Sequence, residues 1–283
     1  MTTRQPPLLA LEQIVFSYPD AAPALRGVSA AIHRGERIAV LGNNGAGKST
    51  FFLICNGILQ PQQGTVYADG QPVSYTRRGL TALRRKVGIV FQDADNQIIA
   101  SDVESEISFG PMNLRLPQEA VQQAVDGAIR QMGLGDYRRR APQYLSGGEK
   151  KRVSIADILA MQPEIILLDE PSASLDPKNT ALLEETLEQL SAAGITLLVS
   201  THDVDFAYRF ADRALVFHDG RIIADDTPAC IFSDAALVRT AGLKRPLLFE
   251  AARLVQQACP ALTFAQPPKT LTEFAHLLGV QPE

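Results

Sequence analysis

The stretch RIAVLGNNGAGKSTFFLIC, residues 37–55, decides the fold of this chain. It opens on a mostly apolar run, closes on a run of helical character, and between them residues 42–49 follow the pattern G-x-x-x-x-G-K-S. Such a glycine-rich loop directs backbone N–H groups into one concavity, and the N-terminus of the following helix adds a positive dipole. We therefore predict an α/β fold with a phosphate-binding loop, or P-loop, at the carboxyl end of a buried strand.

Lys48 and Ser49 add what the backbone of this loop lacks. A helix end stabilises an anion by only about 0.3–2 kcal/mol, which is too little to hold a triphosphate. Lys48 can reach the β- and γ-phosphates of a nucleotide, and the Ser49 hydroxyl can bind Mg²⁺. The candidate nucleotide contacts of the loop are Gly42, Asn43, Asn44, Gly45, Ala46, Gly47, Lys48, Ser49 and Thr50.

A second signal is IILLDEP, residues 165–171, in which an apolar strand ends on two adjacent carboxylates. Ligands of α/β sheets bind at the carboxyl ends of the strands. Because successive side chains point to opposite faces, the two acids should have different tasks. We assign Asp169 to Mg²⁺, through water, and Glu170 to the water that attacks the γ-phosphate. The plain alternative is a solvated strand end.

A third signal is LSGGEKKRVSIADIL, residues 145–159. Ser146 is a good N-cap, Gly147 and Gly148 leave backbone N–H groups accessible, and the rest has the pattern of an amphipathic helix. This predicts a second anion-binding helix end, although an ordinary capped helix would need no ligand.

The remaining sequence indicates a parallel sheet with a helical insertion and a short tail. The runs EIILLDE and GITLLVS suit strands buried on both faces, separated by a helix. We predict one domain over residues 1–240, with a helical part at about 93–160, and a helical extension over residues 241–283. The extension includes TLTEFAHLLG, which opens with a capping-box pattern at Thr270 and carries an apolar face.

Composition excludes several classes of protein. The 283 residues are 46% hydrophobic and 20% charged, values typical of soluble globular proteins rather than of disordered or fibrous chains. From the net charge of -4 we expect no electrostatic surface for wrapping nucleic acid or for coating an acidic membrane. No apolar run approaches the roughly 20 residues of a membrane span, and the start lacks a signal-peptide pattern, so we expect a cytosolic chain.

Together these motifs resemble the ATP-binding cassette (ABC) family over residues 8–224. The resemblance implies an ABC-ATPase form of the P-loop NTPase fold, with an N-terminal antiparallel β-subdomain, a helical subdomain and here a short helical C-terminal extension. It also implies that LSGGE, residues 145–149 and hereafter the signature segment, binds the γ-phosphate of ATP held by the P-loop of a second cassette. A head-to-tail dimer with two composite sites follows from that resemblance. We expect a homodimer, and a heterodimer with a second, different ATPase is the alternative.

Other family positions match one by one. Tyr18 corresponds to the aromatic residue that stacks on adenine, and Gln92 to the Q-loop glutamine that meets Mg²⁺ and the attacking water. His202 corresponds to the switch histidine that contacts the γ-phosphate. The alternatives are ordinary structural roles. Tyr18 would be a surface tyrosine, Gln92 a polar strand end and His202 a structural histidine with satisfied hydrogen bonds. The catalytic set implied by the resemblance is thus Glu170, His202, Gln92 and Lys48, and the Mg²⁺ set is Ser49, Gln92 and Asp169.

Asp176 matches the aspartate of the family's D-loop, which here is SASLDP, residues 172–177. In the family this aspartate helps to couple the two sites of the dimer. The chain departs from the usual pattern at Ser174, where Gly or Ala is common. This departure bears on how tightly the two sites are coupled, not on the catalytic pair Glu170 and His202.

The segment FQDADNQIIASDVESEISFGPMNL, residues 91–114, and the C-terminal tail resemble the ATPases of energy-coupling factor (ECF) importers, and among these the cobalt importers. That resemblance implies a membrane-peripheral subunit on the cytoplasmic face, working with a transmembrane scaffold protein and a substrate-binding membrane component. The scaffold's helices would dock near Gln92 and the acidic residues 102–108. Vitamin uptake is the alternative function. A soluble ABC ATPase acting on nucleic acid fits less well, because the chain has a single cassette, no coiled coil and a negative charge.

Overall fold

The computed structural model describes residues 6–259 and 266–280 of the chain. Its strands alternate with helices in the order that the apolar runs predict, and they form two sheets. The strands of the described ranges are β1 (Leu9–Ser17), β2 (Pro23–Ile32), β3 (Arg37–Leu41), β4 (Gln63–Ala68), β5 (Gln71–Pro72), β6 (Val87–Val90), β7 (Ile165–Asp169), β8 (Thr196–Ser200), β9 (Arg213–His218) and β10 (Arg221–Asp226).

The helices connect and cover these strands. In the described ranges they are α1 (Lys48–Cys55), α2 (Arg77–Lys86), α3 (Val103–Asn113), α4 (Gln118–Gln131), α5 (Gly147–Ala160), α6 (Pro177–Ala192), α7 (Val204–Phe210), α8 (Pro228–Ser233), α9 (Ala235–Thr240), α10 (Leu247–Ala258) and α11 (Leu271–Leu277). None of them is long and apolar enough to cross a membrane.

The larger sheet brings the predicted site together. Its order is β10-β9-β3-β8-β7-β6, and every neighbouring pair from β9 to β6 is parallel. The carboxyl ends of β3, β6, β7 and β8 therefore meet at one edge of the sheet. This edge receives the P-loop after Leu41, Gln92 after β6, the two acids Asp169 and Glu170, and His202 after β8.

The two faces of this sheet are buried by different partners. Val40 belongs to an apolar cluster formed with the antiparallel sheet β2-β1-β4-β5 and with α1, whereas its neighbour Leu41 belongs to a cluster formed with the helices. This alternation is what a strand buried on both faces requires. The predicted antiparallel β-subdomain and the helical region, which holds α3, α4 and α5, are both present.

The C-terminal segment packs on α7 and α8 through aromatic contacts. The ring of Phe249 on α10 lies 5.7 Å from that of Tyr208 in an edge arrangement, and the Tyr208 hydroxyl donates to the carbonyl of Pro267 at 2.9 Å. Thr270 caps α11 as predicted, because its side chain accepts from the Glu273 amide. On the apolar face of α11, Leu271 is 74% exposed, whereas Phe274 and Ala275 are partly buried.

Candidate nucleotide-binding site

A cleft of about 270 Å³ lies over the P-loop at the carboxyl edge of the parallel sheet. Its lining unites residues that are far apart in the sequence. They are Tyr18, Ala24, Asn43, Asn44, Gly45, Gly47, Lys48, Ser49, Thr50, Gln92, Asp169 and Glu170. Most of the residues that the sequence predicted for a nucleotide site thus line one cavity.

The P-loop, which follows β3, holds the side chain of Lys48 above the end of that strand. Lys48 Nζ is buried and donates to the carbonyls of Gly42 at 2.6 Å and Asn43 at 3.3 Å. Gly42 has φ 142° and Gly47 has φ 108°, and a Cβ at either position would collide with a backbone carbonyl, of Phe217 or Ala24. Only glycine can therefore occupy these two positions without distorting the loop.

Asp169, the last residue of β7, is held in place by the neighbouring strand. Its carboxylate accepts a hydrogen bond from the Ser200 hydroxyl at 2.5 Å, at the end of β8. Both residues are buried. One carboxylate oxygen is thereby fixed against the sheet, which leaves the other free for a ligand in the cleft.

Glu170 turns away from the strand to face the cleft. Its backbone has φ 44°, a left-handed conformation that non-glycine residues seldom adopt. Its amide donates to the Ser200 carbonyl at 3.1 Å, which secures this turn. The carboxylate pairs with His202 Nδ1 at 2.8 Å and lies 3.8 Å from Lys48 Nζ. His202 is exposed, so its other ring nitrogen is available to a ligand.

Oxygen donors suited to Mg²⁺ converge in the same cleft. Ser49 contributes a hydroxyl, Gln92 an amide oxygen and Asp169 a carboxylate, and all three line the cavity. Magnesium prefers such hard oxygen ligands and retains several waters of its own. The residues present therefore fit a Mg²⁺ ion that accompanies a triphosphate.

The signature segment lies outside this cleft. Ser146 caps α5 in a reciprocal capping box with Glu149, as the sequence predicted for the N-cap. Gly147 lines a neighbouring cleft of about 760 Å³, together with residues of the Q-loop and the D-loop. The lining of the P-loop cleft, among the described residues, includes no residue of 145–149.

The two signature glycines have different surroundings. In the part of the chain that the structure describes, a Cβ on Gly147 would meet nothing within 4 Å beyond its own helix, whereas one on Gly148 would collide with the side chain of Asn179. Asn179 is in turn held by Asp176, whose carboxylate accepts from the Asn179 backbone amide at 2.9 Å. This hydrogen bond lowers the pKa of Asp176. The predicted D-loop aspartate therefore caps α6 and connects the D-loop to the signature helix of its own chain.

Two residues of the site were missed from the sequence. Ser200 anchors Asp169, and Lys151 donates its buried Nζ to the carbonyls of Phe91 at 2.9 Å and Gln92 at 2.7 Å. Burial lowers the pKa of Lys151 to about 8. The available signals were a serine that ends the apolar run TLLVS and a lysine on the apolar side of a helix.

The fold and the site together define a P-loop ATPase whose signature segment is separate from its own nucleotide cleft. Residues 25–173 match the ABC transporter family. The chain is 50% identical over 244 residues to the energy-coupling factor transporter ATP-binding protein EcfA2 of Methanospirillum hungatei, covering 86% of this chain and 61% of that protein. It is 49% identical over 239 residues to EcfA of Methanothermobacter thermautotrophicus, covering 84% of this chain and 77% of that protein.

Solved structures with a similar fold include the following two. CbiO1 from Clostridium perfringens, part of the ABC transporter complex CbiONQ, has a TM-score of 0.75 at 34% identity and covers 97% of this chain and all of that one. The dimeric cassette MJ0796 bound to ADP and Pi has a TM-score of 0.69 at 29% identity, covering 78% of this chain and 98% of that one. The chain belongs to the ABC transporter family, and within it to the ATP-binding subunits of the ECF type.

Proposed function

We propose that this subunit hydrolyses ATP to power the uptake of cobalt, or of a related transition metal, through an ECF-type importer. The observation that carries the ATPase part is the P-loop cleft itself, in which Lys48, three Mg²⁺-type donors and Glu170 line one cavity. His202 does not line this cavity but is hydrogen-bonded to Glu170. The likeness to CbiO1 over 97% of the chain supports the metal substrate.

The residues of the cleft divide the work of phosphoryl transfer. Lys48 Nζ exchanges its carbonyl acceptors for oxygens of the β- and γ-phosphates, and Tyr18 stacks on the adenine. Glu170 accepts a proton from the attacking water. His202 holds the Glu170 carboxylate through Nδ1 and stabilises charge on the γ-phosphoryl group through its other nitrogen. Ser49, Gln92 and Asp169 would hold a Mg²⁺ ion, which would neutralise phosphate charge.

A second copy of the chain completes the site. Because the P-loop cleft contains no signature residue of its own chain, the segment Ser146–Gly147–Gly148 is available for the nucleotide of a partner. At Gly147 an added Cβ would meet nothing within 4 Å among the described residues beyond its own helix backbone, which suits a close approach of phosphate to this backbone. The likeness to a dimeric cassette supports this head-to-tail homodimer.

The transmembrane scaffold docks in a groove of about 410 Å³ beside the Q-loop. Its lining includes Phe91, Gln97, Phe109 and Gly110. In the acidic segment near this groove, Glu104 pairs with Arg138 and Glu106 accepts from backbone amides. The docking surface therefore uses Phe91, Gln97 and Phe109, which line the groove, rather than these two carboxylates.

This arrangement gives a peripheral subunit on the cytoplasmic face of the membrane, attached to a scaffold and a separate substrate-binding component. We divide the chain into a cassette over residues 1–240 and a C-terminal extension over residues 241–283. The aromatic contact between Phe249 and Tyr208 attaches the extension to the cassette.

Replacement of Glu170 tests the enzymatic proposal. Glu170→Gln keeps the size of the side chain but removes the general base, so ATP turnover should fall at least about a hundredfold while ATP still binds. Glu185→Gln, an exposed acid on α6, is the matched control and should hydrolyse ATP at the native rate. Near-normal turnover of Glu170→Gln would refute the role of this residue.

Uptake measurements identify the substrate. The complex copurified with its membrane partners should import cobalt into vesicles only when ATP is supplied, and the Glu170→Gln complex should not. ATP-dependent import of a vitamin instead would replace the metal in this proposal. Stimulation of the ATPase by DNA or RNA, lost steeply with added salt, would point to the nucleic-acid alternative.

A further inference from the structure

A strongly basic cleft of about 970 Å³ lies along α2, away from the nucleotide. Five cationic side chains line this cleft, together with one acidic side chain, that of Glu164. The cations are Arg77, Arg78, Arg85 and Lys86 from α2 and Arg115 from the turn after α3. Residues 71–92 contain five Lys or Arg and no Asp or Glu, in a chain whose net charge is -4.

Most of this charge has no partner within the described chain. Lys86 pairs with Asp69 and Glu164. Arg77, Arg78, Arg85 and Arg115, in contrast, are exposed and form no salt bridge with any residue in 6–259 or 266–280. The fold itself therefore gives no reason for this concentration of arginine.

Two of these arginines destabilise the helix that carries them. Arg77 and Arg78 occupy the first turn of α2, which contains no acidic residue. Cations at a helix N-terminus oppose the helix dipole and lower the stability of the helix. The leucine of the opposite face, Leu83, supplies the packing, so the arginines are not needed for burial.

The position of the cleft indicates its partner. It shares Thr81, Asn113 and Leu114 with the apolar groove in which we place the scaffold helix. Phe109 and Met112, both more than half exposed, lie on the same helix as Asn113. If the scaffold leaves the bilayer at that groove, the adjoining basic cleft faces the membrane surface.

We propose that this cleft binds anionic phospholipid headgroups of the cytoplasmic leaflet. The inference rests on the proposed docking of the scaffold only for the orientation of the cleft. Basic residues close to an anionic bilayer each strengthen binding by roughly fivefold. A compact patch of five cations can therefore bind this protein to a bilayer, although the rest of its surface is acidic.

Vesicle flotation of the purified subunit tests this directly, without its membrane partners. We expect the native chain to float with vesicles of phosphatidylcholine and phosphatidylglycerol, but not with phosphatidylcholine alone, and added salt should release it. Arg77→Glu, Arg78→Glu and Arg85→Glu together should weaken this binding by at least about tenfold.

A charge-matched variant separates the cleft from net charge. Arg130→Glu, Arg221→Glu and Arg239→Glu change the charge equally at exposed positions outside the cleft lining, and should bind vesicles as the native chain does. If the variant with three Glu substitutions does not fold, the milder combination of Arg77→Gln, Arg78→Gln and Arg85→Gln is tested in its place.

Equal binding to neutral and anionic vesicles, or equal loss in both triple variants, would overturn the proposal. The ATPase rate of the cleft variant is measured alongside. Since none of its three arginines lies in the nucleotide cleft, we expect this variant to hydrolyse ATP at the native rate. A native chain that hydrolyses ATP but does not float with anionic vesicles would refute the lipid site and leave the enzymatic proposal standing.

Discussion

Glu170 shows how one side chain is prepared for its task by the backbone around it. A left-handed φ on a residue other than glycine costs on the order of 1–3 kcal/mol, and such residues are held only where several contacts fix them. Here the amide bonds to Ser200 and the carboxylate pairs with His202. The strain turns the second acid of the pair out of the sheet and into the cleft, whereas Asp169 stays aligned with β7.

Tyr18 gives a prediction about nucleotide affinity. Its ring lines the cleft and is 40% exposed, packed edge-on against Phe16 at 5.1 Å. Stacking of a base on an aromatic ring is worth about 1–3 kcal/mol, so Tyr18→Ala should weaken ATP binding at least about fivefold while sparing the maximal rate. Equilibrium titration with ATP measures the change.

The conservative variant separates the ring from its hydroxyl, which lies 3.3 Å from Thr50 Oγ1. Tyr18→Phe keeps the stacking surface and should bind ATP as the native protein does. If Tyr18→Ala bound ATP with native affinity, the adenine would have to lie elsewhere.

Ser174 gives a prediction about stability. It has φ 65° in the D-loop, a conformation that costs an L-residue about 1–2 kcal/mol and glycine almost nothing. Glycine also gains freedom in the unfolded chain, so Ser174→Gly should raise the free energy of unfolding by about 1 kcal/mol or slightly less. Chemical denaturation measures this, and Ser174→Ala, which keeps the Cβ, should bring no gain. A loss of stability in the glycine variant would contradict the assigned strain.

Elements defined by local patterns could be predicted from the sequence, and those defined by distant contacts could not. The strand before the P-loop, α1 and the Ser146 cap of α5 follow from motifs within a few residues. The different roles of Gly147 and Gly148 do not, because they depend on Asn179, which approaches α5 only in the folded chain. The tie from Lys151 to the Q-loop carbonyls likewise spans about sixty residues.

The acidic character of α3 illustrates the same limit. Its carboxylates resemble a charged docking surface in the sequence, yet Glu106 is buried and satisfies the amides of Ile99 and Ala100. The sequence shows that a helix carries charge, but not which side of that helix the chain itself will use.

Helix α5 provides a pH-dependent prediction through Asp157, whose carboxyl lines the groove beside the Q-loop. Burial, with Glu106 nearby, raises the pKa of Asp157 from 3.8 to about 7. The folded chain therefore binds this proton more tightly than the unfolded chain, and stability falls as the pH rises from about 4 to about 7. Above that range Asp157 is ionised in both states, and the loss of stability is complete.

Asp157→Asn removes this penalty. The variant should be more stable than the native chain by up to about 4 kcal/mol near pH 8, and the difference should largely vanish near pH 4. Thermal unfolding at the two values measures it, with Asp136→Asn as a control for loss of an exposed carboxylate. A gain of the same size at both values would show that ionisation of Asp157 is not its cause.

The complete chain is organised around one edge of one sheet. Parallel pairing brings four strand ends together there, and the two apolar clusters on either face keep that edge in place. The same architecture places the signature segment over a neighbouring cleft rather than over the P-loop. One protomer thus carries two incomplete halves of a site, which accounts for the dimer that we propose.

The molecular mass of Glu170→Gln in ATP and Mg²⁺ tests this central claim most directly, by light scattering on a sizing column. The matched variant adds Gly147→Glu, because the Cβ that it introduces meets nothing within 4 Å among the described residues outside its own helix backbone. We predict a dimer for Glu170→Gln with ATP, and a monomer that still binds ATP once Gly147 is also replaced. A Glu170→Gln protein that is saturated with ATP yet remains a monomer would contradict the composite site.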